Sequence, residues 1–505
     1  MRLSPGLVAR MLCVRTRAVA VVCLMLLAGS PAAEAFIINP GFVPWTNTAS
    51  GTRTANGQPV TLTWSFVPDG STITESNFGS QPSDLIAFLD LEFGSGPGGS
   101  NLTQRPWFTY FEQSFARWEE VSGATYFYEP NDDGGFHNTK SGLLGVRGDV
   151  RIGGTGIDGS SGTLAFNFLP PGNDEGVVIS QGGDMVLDTD DGNFYDNPAN
   201  GFRALRNVIM HEHGHGFGLE HVESNTDNLL MEPFINTSFD GPQLDDIRAI
   251  QFYFGDAFEK TNGGAGNGTA ALASDLGSLL AGGALAVGSD ADVPDQRIEP
   301  SATDFVSIAN LADVDYYSFT VDGPTLLGAT LTPHGGQFNQ SGEGGTPTPF
   351  DADARVDLEL TVFDSNGLSV LGSSDSSGLG GSESLEGLFL PDAGEYFVRV
   401  SGAQDTVQLY ELELSAGGFL EADFSLDGTV DQIDLALWEA GFGADATGDA
   451  DGDLDTDLAD LLIFQRQFGQ SPSVGGVPAI AAVPEPGVAS LLVAYGVCLL
   501  LPRLR

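Results

Sequence analysis

The stretch His211-Glu212-His213-Gly214-His215-Gly216-Phe217-Gly218-Leu219-Glu220-His221 decides how this chain is read. Leu205 to Gly216 is expected to be helical. On that helix His211 and His215 are four apart, share one face and can chelate one ion. Glu212 stands next to the first ligand, within reach of a water on that ion. Gly218 lets the chain leave the helix through a positive-φ turn, and His221 returns as the third ligand. Three protein ligands leave one position open for water, which a catalytic zinc site requires. His213 points off the ligand face and is expected beside the site or at the surface. His137 and His334 are isolated and carry no ligand argument.

Working outward, Gln58 to Val67 alternates like a strand, with Val60, Leu62 and Trp64 on one face. Residues 68–105 are rich in Gly, Ser, Asn and Pro and read as a long loop. Phe108, Phe111, Phe115 and Trp118 fall at helical spacing within Trp107 to Val121. Ala124 to Tyr128, Asp149 to Ile152 and Thr163 to Phe168 read as further strands, and Leu244 to Phe254 as a third helix.

With these elements around it, the histidine motif resembles the matrixin branch of the metzincins. Leu229-Leu230-Met231-Glu232-Pro233 falls where that family has its Met-turn, with Met231 as a floor and not a ligand. Gly162-Thr163-Leu164-Ala165-Phe166 resembles the edge strand that takes substrate in extended form through backbone hydrogen bonds. Trp118-Glu119-Glu120-Val121 resembles the end of the family's first helix. Residues Leu244 to Ile250, with Gln251, Tyr253, Phe254 and Gly255, look like its closing helix. The resemblance covers about residues 58–256 and implies a zinc endopeptidase: an activated water attacks the scissile carbonyl while Glu212 accepts its proton and passes it to the leaving amine. Where relatives with a second zinc carry histidines, this chain has Phe166 and Val186, so one catalytic zinc and no structural zinc is expected. The family's inhibitory propeptide cysteine is absent. Asp158, Asp188 and Asp191 match its acidic calcium ligands.

The fold expected is an α+β metzincin-type catalytic domain, a twisted mixed sheet with three helices, at 36–258. A linker or loose domain entrance at 259–302 follows. At 303–418 short strands such as Tyr316 to Val321, Leu358 to Phe363 and Tyr396 to Val400 suggest an all-β sandwich, which resembles the pre-peptidase C-terminal domain of secreted bacterial proteases. A small α-helical calcium-loop module is expected at 419–471. There Asp423, Ser425, Asp427, Asp431 and Asp434 recur 26 residues later as Asp449, Asp451, Asp453, Asp457 and Asp460. Alternating oxygen ligands closing on a carboxylate at position 12 suit calcium, and the pair resembles a dockerin type I repeat. The first loop has Gly428 at its sixth position; the second has Leu454. A cohesin-like or exopolysaccharide partner is implied.

The ends read as addresses. Residues 1–35 have a basic start (Arg2, Arg10, Arg15, Arg17), a short apolar core from Ala18 to Leu27 and Ala33-Glu34-Ala35 before the cut, as in a signal peptide. After a linker at 472–482, residues 483–505 open with Val-Pro-Glu-Pro-Gly and close with Arg503 and Arg505. They resemble a PEP-CTERM sorting tail, which implies exosortase-type processing machinery. The apolar run of about 14 residues is short for a permanent span of about 20. An exported, extracellular or cell-surface protein, transiently held at the membrane, is expected. Its three cysteines, Cys13, Cys23 and Cys498, all lie in these ends, so the body between is free of disulfides. The net charge of −48 repels phosphate backbones and excludes nucleic-acid binding. Protein or peptide substrates are expected. The rival readings are a non-catalytic cell-surface or exopolysaccharide-matrix binding protein, against which the intact Glu212 argues, and a structural matrix protein held by calcium, which a calcium titration of residues 419–471 would test.

Overall fold

The structure, a computed structural model, describes residues 36–470 apart from 39–42, 76–78, 136, 138–139, 170–181, 227, 294–296, 418–419 and 426–427. The leader at 1–35, the tail at 483–505 and Asp427 lie outside the described residues. Among the described residues no helix is long and apolar enough to cross a membrane.

The first half is a mixed α+β layer structure. Its sheet uses strands β1 (Val60–Phe66), β2 (Ala124–Tyr128), β3 (Val150–Thr155), β4 (Ala165–Asn167) and β5 (Met185–Asp188) in the order β2-β1-β3-β5-β4. All neighbours are parallel except β4, which runs antiparallel along β5 at the edge. Helix α1 spans Leu85–Phe93, α2 Phe108–Glu120, α3 Arg203–Phe217 and α4 Leu244–Phe254. The apolar stripe of α2 meets the alternating face of β1: the Trp64 ring stacks on Phe108 at 5.3 Å and on Phe115 at 4.8 Å. Such aromatic pairs add about 0.5–1.5 kcal/mol each beyond their buried area. Trp118, at the end of the stripe, donates its indole N–H to Met210 O on α3 at 3.2 Å, fixing the histidine-bearing helix against α2.

Residues 68–105 are not one long loop. They hold a hairpin, Thr72–Glu75 with Gly79–Pro82, and then α1. The apolar residues of α1 (Leu85, Ile86, Phe88, Leu89, Leu91, Phe93) run around it rather than along one stripe, and its Asp84 cap makes no side-chain bond. Its first N–H groups, of Ile86 and Ala87, are capped by Asp69 from outside the helix, so the cap and the short apolar pattern give only a weak helix signal in sequence.

The second half is β-rich. One sheet has the order β7-β10-β17-β14-β15 and the other β8-β18-β11-β16, with β9 also on β18. Here β7 is Ser274–Ser278, β8 Ala284–Val287, β9 Val306–Ile308, β10 Val314–Val321 and β11 Thr325–His334. Two strands that serve another sheet, β12 (Gln337–Gly342) and β13 (Thr348–Asp351), come next. They are followed by β14 (Leu358–Phe363), β15 (Val370–Ser374), β16 (Glu383–Leu390), β17 (Gly394–Gly402) and β18 (Gln408–Gly417). Strands β7 and β8 fall inside the stretch expected as linker. Gly- and Ala-rich sequence hides them, because small side chains give strands little to pack and weaken the pattern.

The halves share a core. Val121, Leu244 and Ile247 of the first pack with Ala291, Ile298, Phe305 and Leu409 of the second. Gln251 of α4 donates to Val121 O at 2.9 Å and Phe305 O at 3.1 Å. A separate three-stranded sheet joins them too: β6 (Val222–Ser224), just after the histidine motif, pairs with β12, which pairs with β13. Beyond the sandwich, helices α5 (Gln432–Gly441) and α6 (Leu458–Gln467) each start at a capping box, Asp431 with Asp434 and Asp457 with Asp460.

Candidate active site

Helix α3 is almost wholly buried along the motif. Gly218 ends it with φ 98°, its N–H returning to Gly214 O and His215 O. The exit loop is pinned from the start of the chain: Glu220 N–H donates to Ile37 O at 2.9 Å, Leu219 bridges Ile38, and the Trp45 indole donates to Gly216 O at 2.9 Å. Nothing in the sequence pattern marks that N-terminal contribution.

The structure brings His211, His215 and His221 together. The Nε2 of His221 lies 3.3 Å from that of His211 and 3.1 Å from that of His215. The Nδ1 of His211 donates to Leu230 O at 2.6 Å, and that of His215 to Leu219 O at 2.7 Å. A ring that donates from Nδ1 keeps a lone pair on Nε2 when neutral. Burial, and then the neighbouring histidines, push His211 well below the ordinary imidazole value and His215 down to about 4, so both rings are neutral at neutral pH. Lone pairs that converge on one point repel unless a cation sits among them. Zinc–nitrogen bonds of about 2.0–2.1 Å at tetrahedral angles place ligand nitrogens roughly 3.3–3.4 Å apart, so the donor set fits zinc.

Glu212 follows His211 on the helix. One of its carboxylate oxygens is buried with no hydrogen-bond partner, and burial pushes its pKa up to about 8. A carboxyl next in the chain to one of three converging imidazoles, with a free oxygen and a raised pKa, has the make-up of a proton acceptor. His213 is neither beside the site nor at the surface, as expected from sequence. It is fully buried on the opposite face, 2.8 Å from the Tyr126 hydroxyl and packed against Phe115 and Phe217. Burial holds its pKa down to about 3.

Met231 lies under the motif. A Cβ on Gly214 would come within 2.3 Å of the Met231 sulfur, so glycine is needed there for the methionine to approach. The turn carrying Met231 is held by Asp246 of α4, whose carboxylate accepts from Leu230 N at 2.8 Å, Met231 N at 3.2 Å and Gln243 N at 2.9 Å. Asp246 is a site-building residue that the sequence reading passed over; an acid at the third position of a helix, behind Gln243, is the capping-box signal that marks it. The edge strand β4 lies next to the motif, with Asn167 close to Gly216.

The acids matched to a calcium site in the catalytic region do not form one cluster. Asp188 accepts from Ile157, Asp158 and Asp190 N–H, and Asp191 from Ser161 N–H. Asp158 turns instead to Thr163. Asp191 keeps its other carboxylate oxygen buried and without a hydrogen-bond partner.

In the repeat, Asp449, Asp451 and Asp460 present oxygens within 4.8 Å of one another, and so do Asp455, Asp457 and Asp460; Asp455 was not among the residues picked from sequence. Asp460 accepts from Ala450, Asp451 and Asp457 N–H, while Asp449 accepts from Gly452, Asp453 and Leu454 N–H. Leu454 takes φ +76°, the same left-handed turn as Gly428 at +82°. In the first loop Asp434 accepts from Ser425 and Asp431 N–H, and Asp423 from Gly428 N–H and the Ser425 hydroxyl. Asp453 caps Asp455 N–H at 3.1 Å.

A further group of acids gathers where the sandwich begins. Glu259, Asp313 and Asp315 bring oxygens within 4.8 Å of one another. Asp315 bonds to the Tyr410 hydroxyl at 2.5 Å, and Tyr410 meets Tyr317 at 2.8 Å. Burial raises the proton affinity of all three carboxyls and of nearby Asp256.

Comparison with known proteins agrees with this arrangement. Residues 98–255 match the family model described as matrixin, and residues 313–402 that of the bacterial pre-peptidase C-terminal domain. The matrixin match supports a zinc metallopeptidase in general, followed by a β-rich pre-peptidase C-terminal domain. No curated protein matches the chain. Among solved structures, the pre-peptidase C-terminal domain of a collagenase from Bacillus anthracis is similar at 12% identity and TM-score 0.17, covering 28% of this chain and 93% of that one. A periplasmic inhibitor of g-type lysozyme from Aeromonas hydrophila is similar at 12% identity and TM-score 0.14, covering 28% and 99%. At these scores neither likeness bears on function.

Proposed function

We propose that the protein is a secreted zinc-dependent endopeptidase of the metzincin type in which Glu212 is the general base. One observation carries this reading: three imidazole nitrogens converge, and the residue after the first of them, Glu212, carries a buried carboxylate oxygen without a partner. Zinc held by His211, His215 and His221 would supply a polarised water and an electrophile for the scissile carbonyl. Glu212 takes the water's proton and passes it to the leaving amine. The antiparallel strand β4 stands at the edge of the sheet, the position from which an extended peptide is taken by backbone pairing, which supports protein or peptide substrates. Calcium is proposed for the loop before α6, on the carboxylate groups of Asp449, Asp451, Asp455, Asp457 and Asp460, and by the sequence repeat for the loop before α5, at Asp423, Ser425, Asp431 and Asp434. Export by the 1–35 leader and processing of the 483–505 tail rest on their sequence alone. Exposed Ile433, Leu458 and Leu462 beside the acidic loops support a docking role for the repeat, toward a cohesin-like or exopolysaccharide partner.

The test is hydrolysis of unfolded casein by the protein with zinc and calcium present, beside a chelated sample and Glu212→Gln. Expected is cleavage by the untreated protein alone, with turnover in the variant down at least about 10²- to 10⁴-fold while zinc stays bound. Undiminished turnover by Glu212→Gln would remove Glu212 from the role. A folded, zinc-loaded protein that cleaves nothing would favour the binding-protein reading.

A further inference from the structure

We propose that Glu343, carried on the β12–β13 hairpin of the second domain, positions the third metal ligand, His221, so that the metal centre spans both domains. This rests on the reading of the three histidines as zinc ligands.

The three rings are held in two ways. His211 and His215 donate from Nδ1 to the backbone carbonyls of Leu230 and Leu219, both within the catalytic region. The Nδ1 of His221 instead meets Glu343 Oε2 at 2.8 Å, 122 residues further along the chain. A ligating histidine needs an acceptor on its second nitrogen to fix tautomer and ring orientation, and a carboxylate in that place also raises the ligand's basicity. His221 depends on this contact more than its partners do. It stands beyond the helix end at Gly218, and its side chain is 26% exposed.

The contact is built by strand register rather than by chance proximity of two surface charges. Strand β6 pairs antiparallel with β12, Val222 opposite Gly342, Glu223 opposite Ser341 and Ser224 opposite Gln340. One step further along the same register sets residue 221 opposite residue 343. A slip of one residue would move every side chain of the hairpin to the other face, so the pairing itself aims the carboxylate. The turn beyond it is tied down as well. Gly344, at φ +73°, donates its N–H to Glu223 Oε1 at 3.1 Å, and Gly345 N–H returns to Gly342 O at 2.8 Å. A Cβ on Gly345 would come within 2.8 Å of Gly342 O, so this tight hairpin requires glycine. The bland alternative is a surface ion pair, and such pairs contribute little to stability. Metal affinity separates the two.

Zinc affinity of the full-length protein would be measured by competition with a chromophoric chelator, for the unaltered chain, Glu343→Ala, Glu343→Gln and His221→Ala. Glu343 is 65% exposed at its side chain, so its substitution leaves the fold and melting temperature unchanged. Expected is a 10- to 100-fold loss of zinc affinity in Glu343→Ala. Glu343→Gln, which keeps an acceptor oxygen but no charge, falls between. The visible spectrum of the cobalt-loaded protein shifts in Glu343→Ala, which a purely structural pair would not cause. Zinc affinity within twofold of the unaltered protein in both Glu343 variants would overturn the proposal. Unchanged affinity in His221→Ala would overturn instead the three-histidine reading beneath it.

Discussion

The histidine centre and the acidic loops are both proposed as sites for a cation, and they are built on opposite principles. At the histidine centre the candidate ligands are imidazoles, two of them held neutral by burial, and each ring has an acceptor on its far nitrogen. Ring orientation is set by Leu230, Leu219 and Glu343 before any ion arrives. In the loops the donors are charged and largely exposed, and the carboxylates are held by backbone N–H groups of their own turn. The neighbouring charge of Asp453 raises the proton affinity of Asp455, and crowding by burial and then Asp453 raises that of Asp451. Like charges in a short loop oppose the folded arrangement until a counter-ion balances them. Removing metal should therefore silence the first site while leaving its frame standing, and loosen the second.

The largest expected effect breaks the frame of the first site. Asp246 is buried and satisfies three backbone N–H groups, two of them in the turn that supplies Leu230 O to His211. Each buried donor left unpaired costs about 1–3 kcal/mol, so Asp246→Ala should lose about 3 kcal/mol or more in denaturant unfolding and weaken zinc binding. Unchanged stability would mean that the turn holds itself and that the comparison credits the frame too heavily.

The next effect acts on the loops alone. Calcium at about 100 times its dissociation constant should stabilise them by about 2.7 kcal/mol, read as a calcium-dependent rise of the C-terminal transition in calorimetry. Asp460 belongs to both carboxylate groups of the second loop, so Asp460→Ala should remove that loop's share, and the exposed Asp451→Asn should reduce it. A transition indifferent to calcium would mean that the loops fold on their N–H bonds and that the contrast with the histidine centre is false.

How much of this was legible in the sequence follows the same division. Chemistry written at short spacing could be read: the ligands at 211, 215 and 221, the helix ends at Gly218 and Gly255, the edge strand and the repeat all lie within a few turns of their own signals. What depended on distant chain could not. His213 looked like a site or surface residue because helical spacing gives only a direction; the aromatic wall of Phe115, Phe217 and Tyr126 that buries it comes from α2, α3 and β2. Glu343 is one acid among many in a Gly-rich turn until the β6–β12 pairing sets it opposite His221. Strands β7 and β8 carry too few bulky residues to show the alternation of a strand, and α1 is apolar on every side.

The smallest effect concerns a third way of placing acids, at the entrance to the sandwich. Glu259 has a buried oxygen without a partner, and burial, then Asp313 and Asp256, raise its proton affinity. Asp315, Tyr317 and Tyr410 face it from the sandwich strands; Lys260, beside it in the chain, gives its ammonium to the carbonyls of Glu119, Ser122 and Ala124. These acids are neither spread along an exposed turn nor matched by a cation, so the folded state keeps its protons longer than the unfolded chain does. A carboxyl whose folded pKa lies above its unfolded value contributes stability in full below the unfolded value, near 4.5 for Glu259, and loses it as pH rises through the folded one. Each such group gives a slope of about 1.4 kcal/mol per pH unit across that window. Glu259→Gln has no proton to lose, so in divalent-free buffer its stability should gain on that of the unaltered protein between pH 5 and 8, by about 1.4 kcal/mol for each pH unit. Comparing the two proteins at each pH cancels the histidines, which titrate alike in both. A constant difference across that range would show that Glu259 is already ionised and that the acids here resemble the loops rather than a protonated core.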